Sequence, residues 1–157
     1  MTQTPVAIAG PVAQPKKPRT MPPRGAWDAH CHVFGPADKF PYAEGRGYTP
    51  PDAPVEKYIA LLDHNGCDFG LLVQGNAHGY DNRVVLDALA RYPQRLRGVA
   101  ITDLRIKPET LRDWHQIGMR GLRFHLFAVK QTYIRGVGFD VFEVFRKAMI
   151  ELGWVMQ

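Results

Sequence analysis

Between residues 26 and 157 the chain repeats one pattern four times: a short apolar run, a turn, and a segment with helical spacing. The apolar runs are AWDAHCHV (26–33), DFGLLVQG (68–75), LRGVAIT (96–102) and GLRFHLF (121–127), and WVMQ (154–157) opens a fifth. Val55, Tyr58, Ile59 and Leu62 mark the first helix, which ends near Gly66. Val85, Leu86, Leu89 and Tyr92 mark the second. The third carries Pro108 near its start, then Leu111, Trp114 and Ile117, and stops at Gly118. Asp140 and Glu143 read as a capping box for a fourth helix with Phe145, Met149 and Leu152, closed by Gly153. Strand–helix alternation with short connections predicts a parallel sheet with right-handed crossovers.

Two α/β architectures fit that alternation, an open doubly wound sheet and a (β/α)8 barrel. The first strand is followed by a long loop, FGPADKFPYAEGRGYTPPDAP (34–54), with no GxGxxG, which argues against a dinucleotide fold. A barrel of this kind needs ~250 residues. The expectation is therefore the N-terminal half of a (β/α)8 TIM barrel, ending within strand five.

Functional side chains in such folds gather at the carboxyl ends of strands. Alternation would put Asp28, His30 and His32 on one face of strand one. Strand two runs into QGNAHGYDN, with Gln74, Asn76, His78, Asp81 and Asn82. Strand four carries Arg123 and His125, with Lys130 just beyond. Three polar strand ends point to one shared pocket. His30 and His32 could hold a divalent metal such as Zn²⁺ from one side, or donate hydrogen bonds to a carbonyl oxygen that gains charge. Arg123 suits a substrate carboxylate, with a salt bridge to a neighbouring acid as the alternative. His125 reads as a hydrogen-bonded wall residue, and His78 as either a ligand contact or a partner for backbone. Cys31 alternates away from the histidines and reads as a packed residue. Phe34, Phe40, Tyr42 and Tyr48 in the long loop form a lid or, more simply for Phe34 and Phe40, pack over the mouth. His64 and His115 are expected on solvent-facing helix surfaces, and Arg97 and Arg120 in salt bridges at the far end of the barrel.

Composition narrows the partners. The net charge of +5 is mostly local: residues 1–24 hold Lys16, Lys17, Arg19 and Arg24 and no acid. That segment is rich in proline, lacks periodicity, and is expected to be a disordered or loosely draped tail. Neither nucleic acid nor a membrane is an expected partner, since no aromatic platform joins the basic tail and no long apolar run exists. Two cysteines form no disulfide framework, so a reducing, cytoplasmic setting is expected.

DAHCHVFGP, FPYAEGRGYTPPDAP, VQGNAHGYDNRVVLDAL, RLRGVA and GMRGLRFHLF together resemble the amidohydrolase-related enzymes, and within them the 2-pyrone-4,6-dicarboxylate lactonase group. The resemblance runs from about Asp28 to the end of the chain, so residues 25–157 correspond to a partial barrel of that type. It implies hydrolysis of a cyclic ester that carries carboxylates, with His30 and His32 at the lactone carbonyl and Tyr48 and Arg123 on carboxylate groups. The strand-two loop around Asn76 and His78 would line the site. The lactonase group works without a required metal, whereas other amidohydrolases use the paired histidines to bind one or two divalent ions. Lys130 stands near the place of a second family arginine, and a lysine cannot reproduce a bidentate fork. The general base of the family, an aspartate after strand eight, would lie outside these residues. The chain alone is therefore expected to be inactive or weak, and to need the missing half-barrel or a second copy to cover its inner face. The alternatives are a metal-dependent hydrolase or decarboxylase on the same scaffold, and a truncated non-catalytic product.

Overall fold

The computed structural model describes residues 4–124 and 139–157. In chain order the elements are β1 Val6–Ala7, β2 Trp27–Cys31, β3 Tyr48–Thr49, α1 Val55–Asn65, β4 Phe69–Val73, α2 Arg83–Arg91, β5 Leu96–Ala100, α3 Pro108–Ile117, β6 Met119–Leu122, α4 Phe139–Leu152 and β7 Val155–Met156. Helices α1 and α3 end at Gly66 and Gly118, both in the left-handed conformation that closes a helix without a Cβ penalty.

The main sheet has the order β2-β4-β5-β6-β7, and every neighbouring pair is parallel. Strictly sequential order, with no reversal, sends each crossover the same way and puts the helices on one face. Packing agrees. Tyr58 and Leu62 of α1, Val85 and Leu89 of α2, Leu111 of α3, and Phe145 and Met149 of α4 form one core with Leu72, Leu96, Met119 and Leu122 of the strands. Burying each such side chain stabilises the fold by about 1.5–3 kcal/mol. Among the described residues no helix covers the other face, which is concave. In a flat sheet the outermost strands would lie roughly 19 Å apart, yet the Gln157 amide just after β7 reaches the His30 ring of β2 at 3.1 Å. The sheet is curled, as the N-terminal half of a (β/α)8 barrel requires.

Three local expectations need correction. Helix α4 begins at Phe139, so Asp140 lies in its first turn rather than at its N-cap. Strand β6 begins at Met119, two residues earlier than the apolar run suggested, and its pairing continues through Arg123 N to Ala100 O at 2.8 Å and Phe124 N to Gln157 O at 2.8 Å. Asp28 does not share a face with His30 and His32, because the register of β2 shifts between Asp28 and Cys31. The described part of the N-terminal segment is draped along the long loop: Val6–Ala7 pairs with Tyr48–Thr49, and Met21 lies over Gly66.

Helix α1 can approach β4 because residue 70 is glycine. A Cβ there would meet the Tyr58 hydroxyl and lie 2.8 Å from two ring carbons of the same rigid phenol. Gly70→Ala is expected to lower unfolding free energy by roughly 1–3 kcal/mol, read as a lower urea midpoint. An unchanged midpoint would contradict this packing.

Candidate active site

Strand β2 carries one extra residue relative to β4. Asp28 is opposite Gly70 and Cys31 opposite Leu72, so three steps on β2 match two on β4. Such a bulge breaks the two-residue alternation. Asp28 and Cys31 therefore both turn to the helix side, where Asp28 acts electrostatically on Tyr58 and on Cys31. Burial, helped by Asp28, pushes the Cys31 thiol up to about 11, so it stays a neutral packed group. His30 and His32 are left together on the concave face, ring centroids 5.0 Å apart and nearly perpendicular at 82°.

The two imidazoles are held differently. Nδ1 of His32 lies 2.7 Å from the carbonyl oxygen of Val73 and must carry the proton, which leaves Nε2 with a free lone pair. Burial is the main influence on this ring and lowers its pKa below the usual imidazole value, with His30 and Arg123 adding to the effect. Exposed His30 instead accepts a hydrogen bond at Nδ1 from Nε2 of Gln157 at 3.1 Å, so its neutral form carries the proton on Nε2.

Arg123 follows β6 and is half-buried, its Nη1 3.5 Å from the carbonyl oxygen of Gln74. It acts electrostatically on His32 and Tyr48, which places the three groups in one neighbourhood. No carboxylate among the described residues pairs with Arg123, contrary to the salt-bridge alternative. Phe34 joins the cluster as a wall, 5.9 Å from the His32 ring and 6.3 Å from that of Tyr48. Phe40 is instead buried on the helix side.

Several polar residues expected in the pocket serve the backbone. Gln74 is fully buried and donates to the carbonyls of Gly79 and Asp81 at 3.2 and 2.8 Å. Asn82 bridges to β5, donating to Ile101 O at 2.7 Å and accepting from Ile101 N at 3.1 Å. Asp81 pairs with exposed Arg83. His78, only 2% exposed, has both ring nitrogens engaged by backbone and offers neither to a substrate. The loops after strands hold many unpaired N–H and C=O groups, and buried ones must find partners. Asn76 is half-buried at the start of the 3₁₀ turn Asn76–His78. His125 and Lys130 lie outside the described residues. His115 is not a free surface group but accepts from the Trp154 indole at 2.9 Å, and Arg97 and Arg120 donate to backbone carbonyls rather than to carboxylates.

Gln157 and the Val73 carbonyl, which orient the two histidines, were not foreseen. The polar end of WVMQ at a strand terminus was the available signal for the first, whereas a backbone carbonyl leaves none. A separate cleft of about 370 Å³ lies between Val33, Phe40, Val55, Val84 and Arg91, and contains neither histidine.

A catalytic zinc takes three protein ligands. His30 and His32 are suitable donors, but no group of three His, Cys, Asp or Glu among the described residues is placed to hold an ion. These residues do not by themselves complete a metal site.

The amidohydrolase family model matches residues 27–157. The chain belongs to the amidohydrolase family. Within that family it is 52% identical over 103 residues to 4-sulfomuconolactone hydrolase of Rhizobium radiobacter, covering 65% of this chain and 34% of the relative. It is 45% identical over 113 residues to 2-pyrone-4,6-dicarboxylate hydrolase of Comamonas testosteroni, covering 72% of this chain and 37% of the relative. Among solved amidohydrolase structures, a probable 2-pyrone-4,6-dicarboxylic acid hydrolase from Acinetobacter baumannii, with citric acid bound, superposes with a TM-score of 0.69 at 26% identity over 84% of this chain and 48% of that one. The chain thus spans about a third of the length of the curated relatives it matches.

Burial holds His32 and His78 below the ordinary imidazole value of 6.5. As pH falls past that value the unfolded chain takes up protons first, so stability present above it is lost below it. The urea midpoint is expected to be lower at about pH 5.5 than at about pH 7.5, with a smaller drop in His32→Gln. A midpoint that holds or rises on acidification would contradict the burial of these rings.

Proposed function

We propose that the complete enzyme containing this chain hydrolyses a cyclic ester bearing carboxylate or a comparable anionic group. The observation that carries this reading is Arg123: a half-buried guanidinium beside His32 and Tyr48, with no carboxylate partner among the described residues. A desolvated cation in a concave site calls for an anion, and a planar fork suits a carboxylate. The names of the two curated relatives, a pyrone dicarboxylate hydrolase and a sulfomuconolactone hydrolase, accord with an anionic lactone.

Roles follow from the proton positions. Arg123 holds the anionic substituent, with Tyr48 beside it and Asn76 at the turn after β4 as a further contact. Nε2–H of His30 donates to the lactone carbonyl oxygen as it gains charge in the tetrahedral transition state. Nε2 of His32, a lone pair, accepts a proton in a hydrogen bond from water or substrate. The base that deprotonates water comes from the remainder of the barrel, which also covers the exposed concave face with its stacked Trp27 and Phe69. Free Cys31 and Cys67 suit a cytoplasmic setting, and among the described residues no helix is long and apolar enough to cross a membrane.

A metal-dependent hydrolase is the second reading, favoured by one observation. His32 donates Nδ1–H to a backbone carbonyl, the usual way a metal-binding histidine is oriented, and its Nε2 would be the ligand atom. Bound there with ligands from elsewhere, a divalent ion would supply Lewis-acid polarisation.

Ultraviolet absorbance of a pyrone dicarboxylate and a muconolactone, each against its uncharged analogue, tests the assignment in the complete enzyme. Turnover of the anionic substrates alone is expected, and a flat trace across the panel would remove it. Arg123→Lys should raise KM about 10–100-fold, the range expected for losing hydrogen bonds to a charged group. Activity that survives removal of bound divalent ions would eliminate the metal-dependent reading.

A further inference from the structure

Five aromatic rings run in contact from the histidine pair into the long loop. His30 meets His32 at 5.0 Å, His32 meets Phe34 at 5.9 Å, Phe34 stacks on His78 at 6.0 Å, and His78 on Tyr42 at 4.7 Å. His78 is the link that faces no pocket, and it is tied down twice. Nε2 accepts from the Gly35 amide at 3.2 Å, and Nδ1 donates to the Pro41 carbonyl at 3.1 Å. The first bond requires a lone pair on Nε2, so His78 must be the neutral Nδ1–H tautomer. Ala43 N to Ala77 O at 2.8 Å adds a third tie between the same two segments.

The space is equally restricted. A Cβ at residue 75 would lie 2.5 and 2.9 Å from two Phe34 ring carbons, so Phe34 is wedged between the glycine of one loop and the His78 ring. Phe34 in turn touches the rings of His32 and Tyr48. The N–H and C=O of Phe34 pair with Ala53 at 3.0 and 2.9 Å whatever the state of His78, so what the Gly35 tie adds is the placement of the next residue and of the Phe34 ring against the turn.

We propose that His78 is a positioning residue: its neutral imidazole clamps the loop over residues 34–42 to the turn after β4, and so holds Phe34 against His32 and Tyr48. It contacts no reacting atom. The catalytic consequence rests on the reading of the concave face as a lactone hydrolase site, whereas the clamp itself does not. Protonation of Nε2 removes the acceptor for Gly35 N–H and opens the clamp. The charged and titratable groups that face the ring are Asp52 and Asp81, which favour the cation, and Tyr42, which carries Arg46 over its own ring at 5.6 Å. Burial opposes the cation and outweighs them.

The test is nuclear magnetic resonance of the full chain, labelled in histidine nitrogens and aromatic rings. At neutral pH His78 should be the single Nδ1–H tautomer, with ring-to-ring contacts from Phe34 to His32 and to Tyr48. On acidification the Gly35 amide shift and the Phe34–His32 contact should change together at the midpoint of the His78 ring, not that of His32. His78→Asn keeps a donor toward Pro41 and removes the acceptor for Gly35. It should lose the Phe34–His32 contact while the Trp27–Phe69 stack, far from the clamp, persists. In the complete enzyme this variant should lose about 10–100-fold in kcat/KM, the scale of a small misplacement of reacting groups. Persistence of the Phe34 contacts in His78→Asn, persistence after His78 protonates, or an Nε2–H tautomer would each overturn the proposal. If the variant fails to fold, the titration of the unaltered chain decides. A wild-type enzyme inactive on every lactone removes the functional reading and leaves the clamp standing. Full lactonase activity in His78→Asn with intact contacts does the reverse.

Discussion

One extra residue in β2 determines what the concave face can do. Had the strand alternated strictly from Asp28 onward, a carboxylate would sit beside the two histidines, and each ring would be polarised by it. The bulge between Asp28 and Cys31 turns Asp28 toward Tyr58 on the helix side, where its Oδ1 accepts from the His30 backbone N–H at 3.2 Å rather than from either imidazole. Their protons are set instead by neutral groups, the Val73 carbonyl and the Gln157 amide. Arg123 then lends the neighbourhood a positive character that suits an anionic ligand. Bulges are known to re-aim side chains next to active sites, and here one sorts a carboxylate from two imidazoles.

The architecture was legible because it depends on many weak signals that agree. Periodic apolar residues, Pro108 at a helix start, and Gly66 and Gly118 at helix ends mark the same strand–helix units that the structure contains. Residue by residue, the site was less legible. His30, His32 and Arg123 do come together because strand ends in a parallel sheet converge whatever the details, and Tyr48 joins them from the long loop after β2. Asp28 was misplaced because alternation assumes an unbroken ladder, and nothing in WDAHC signals the extra residue. Gln74 and Asn82 look like ligand-binding residues in a sequence, yet each satisfies buried carbonyl or amide groups that only the folded loops create.

This competition between backbone and ligand for polar side chains also explains the division of labour in the turn after β4. Gln74, His78 and Asn82 brace the turn from within and fix the strand ends of β4 and β5 relative to the long loop. Rigid support of this kind lets a few groups on the inner face hold their geometry without a dense network of their own. The half-barrel thus presents Arg123 and the two histidines on its inner face, with Gln74, His78 and Asn82 bracing the loops behind them.

If Arg123 draws an anion to the concave face at the strand carboxyl ends, binding of a small dicarboxylate there should depend on it. Titration of benzene-1,3-dicarboxylate into the labelled chain, followed at the Arg123 side-chain nitrogen and the His30 and His32 rings, tests it most directly. Saturable shifts are expected at those three residues, and they should vanish in Arg123→Ala. Shifts confined to the outer cleft around Lys39 and Arg91, or shifts at the histidines that survive Arg123→Ala, would contradict it.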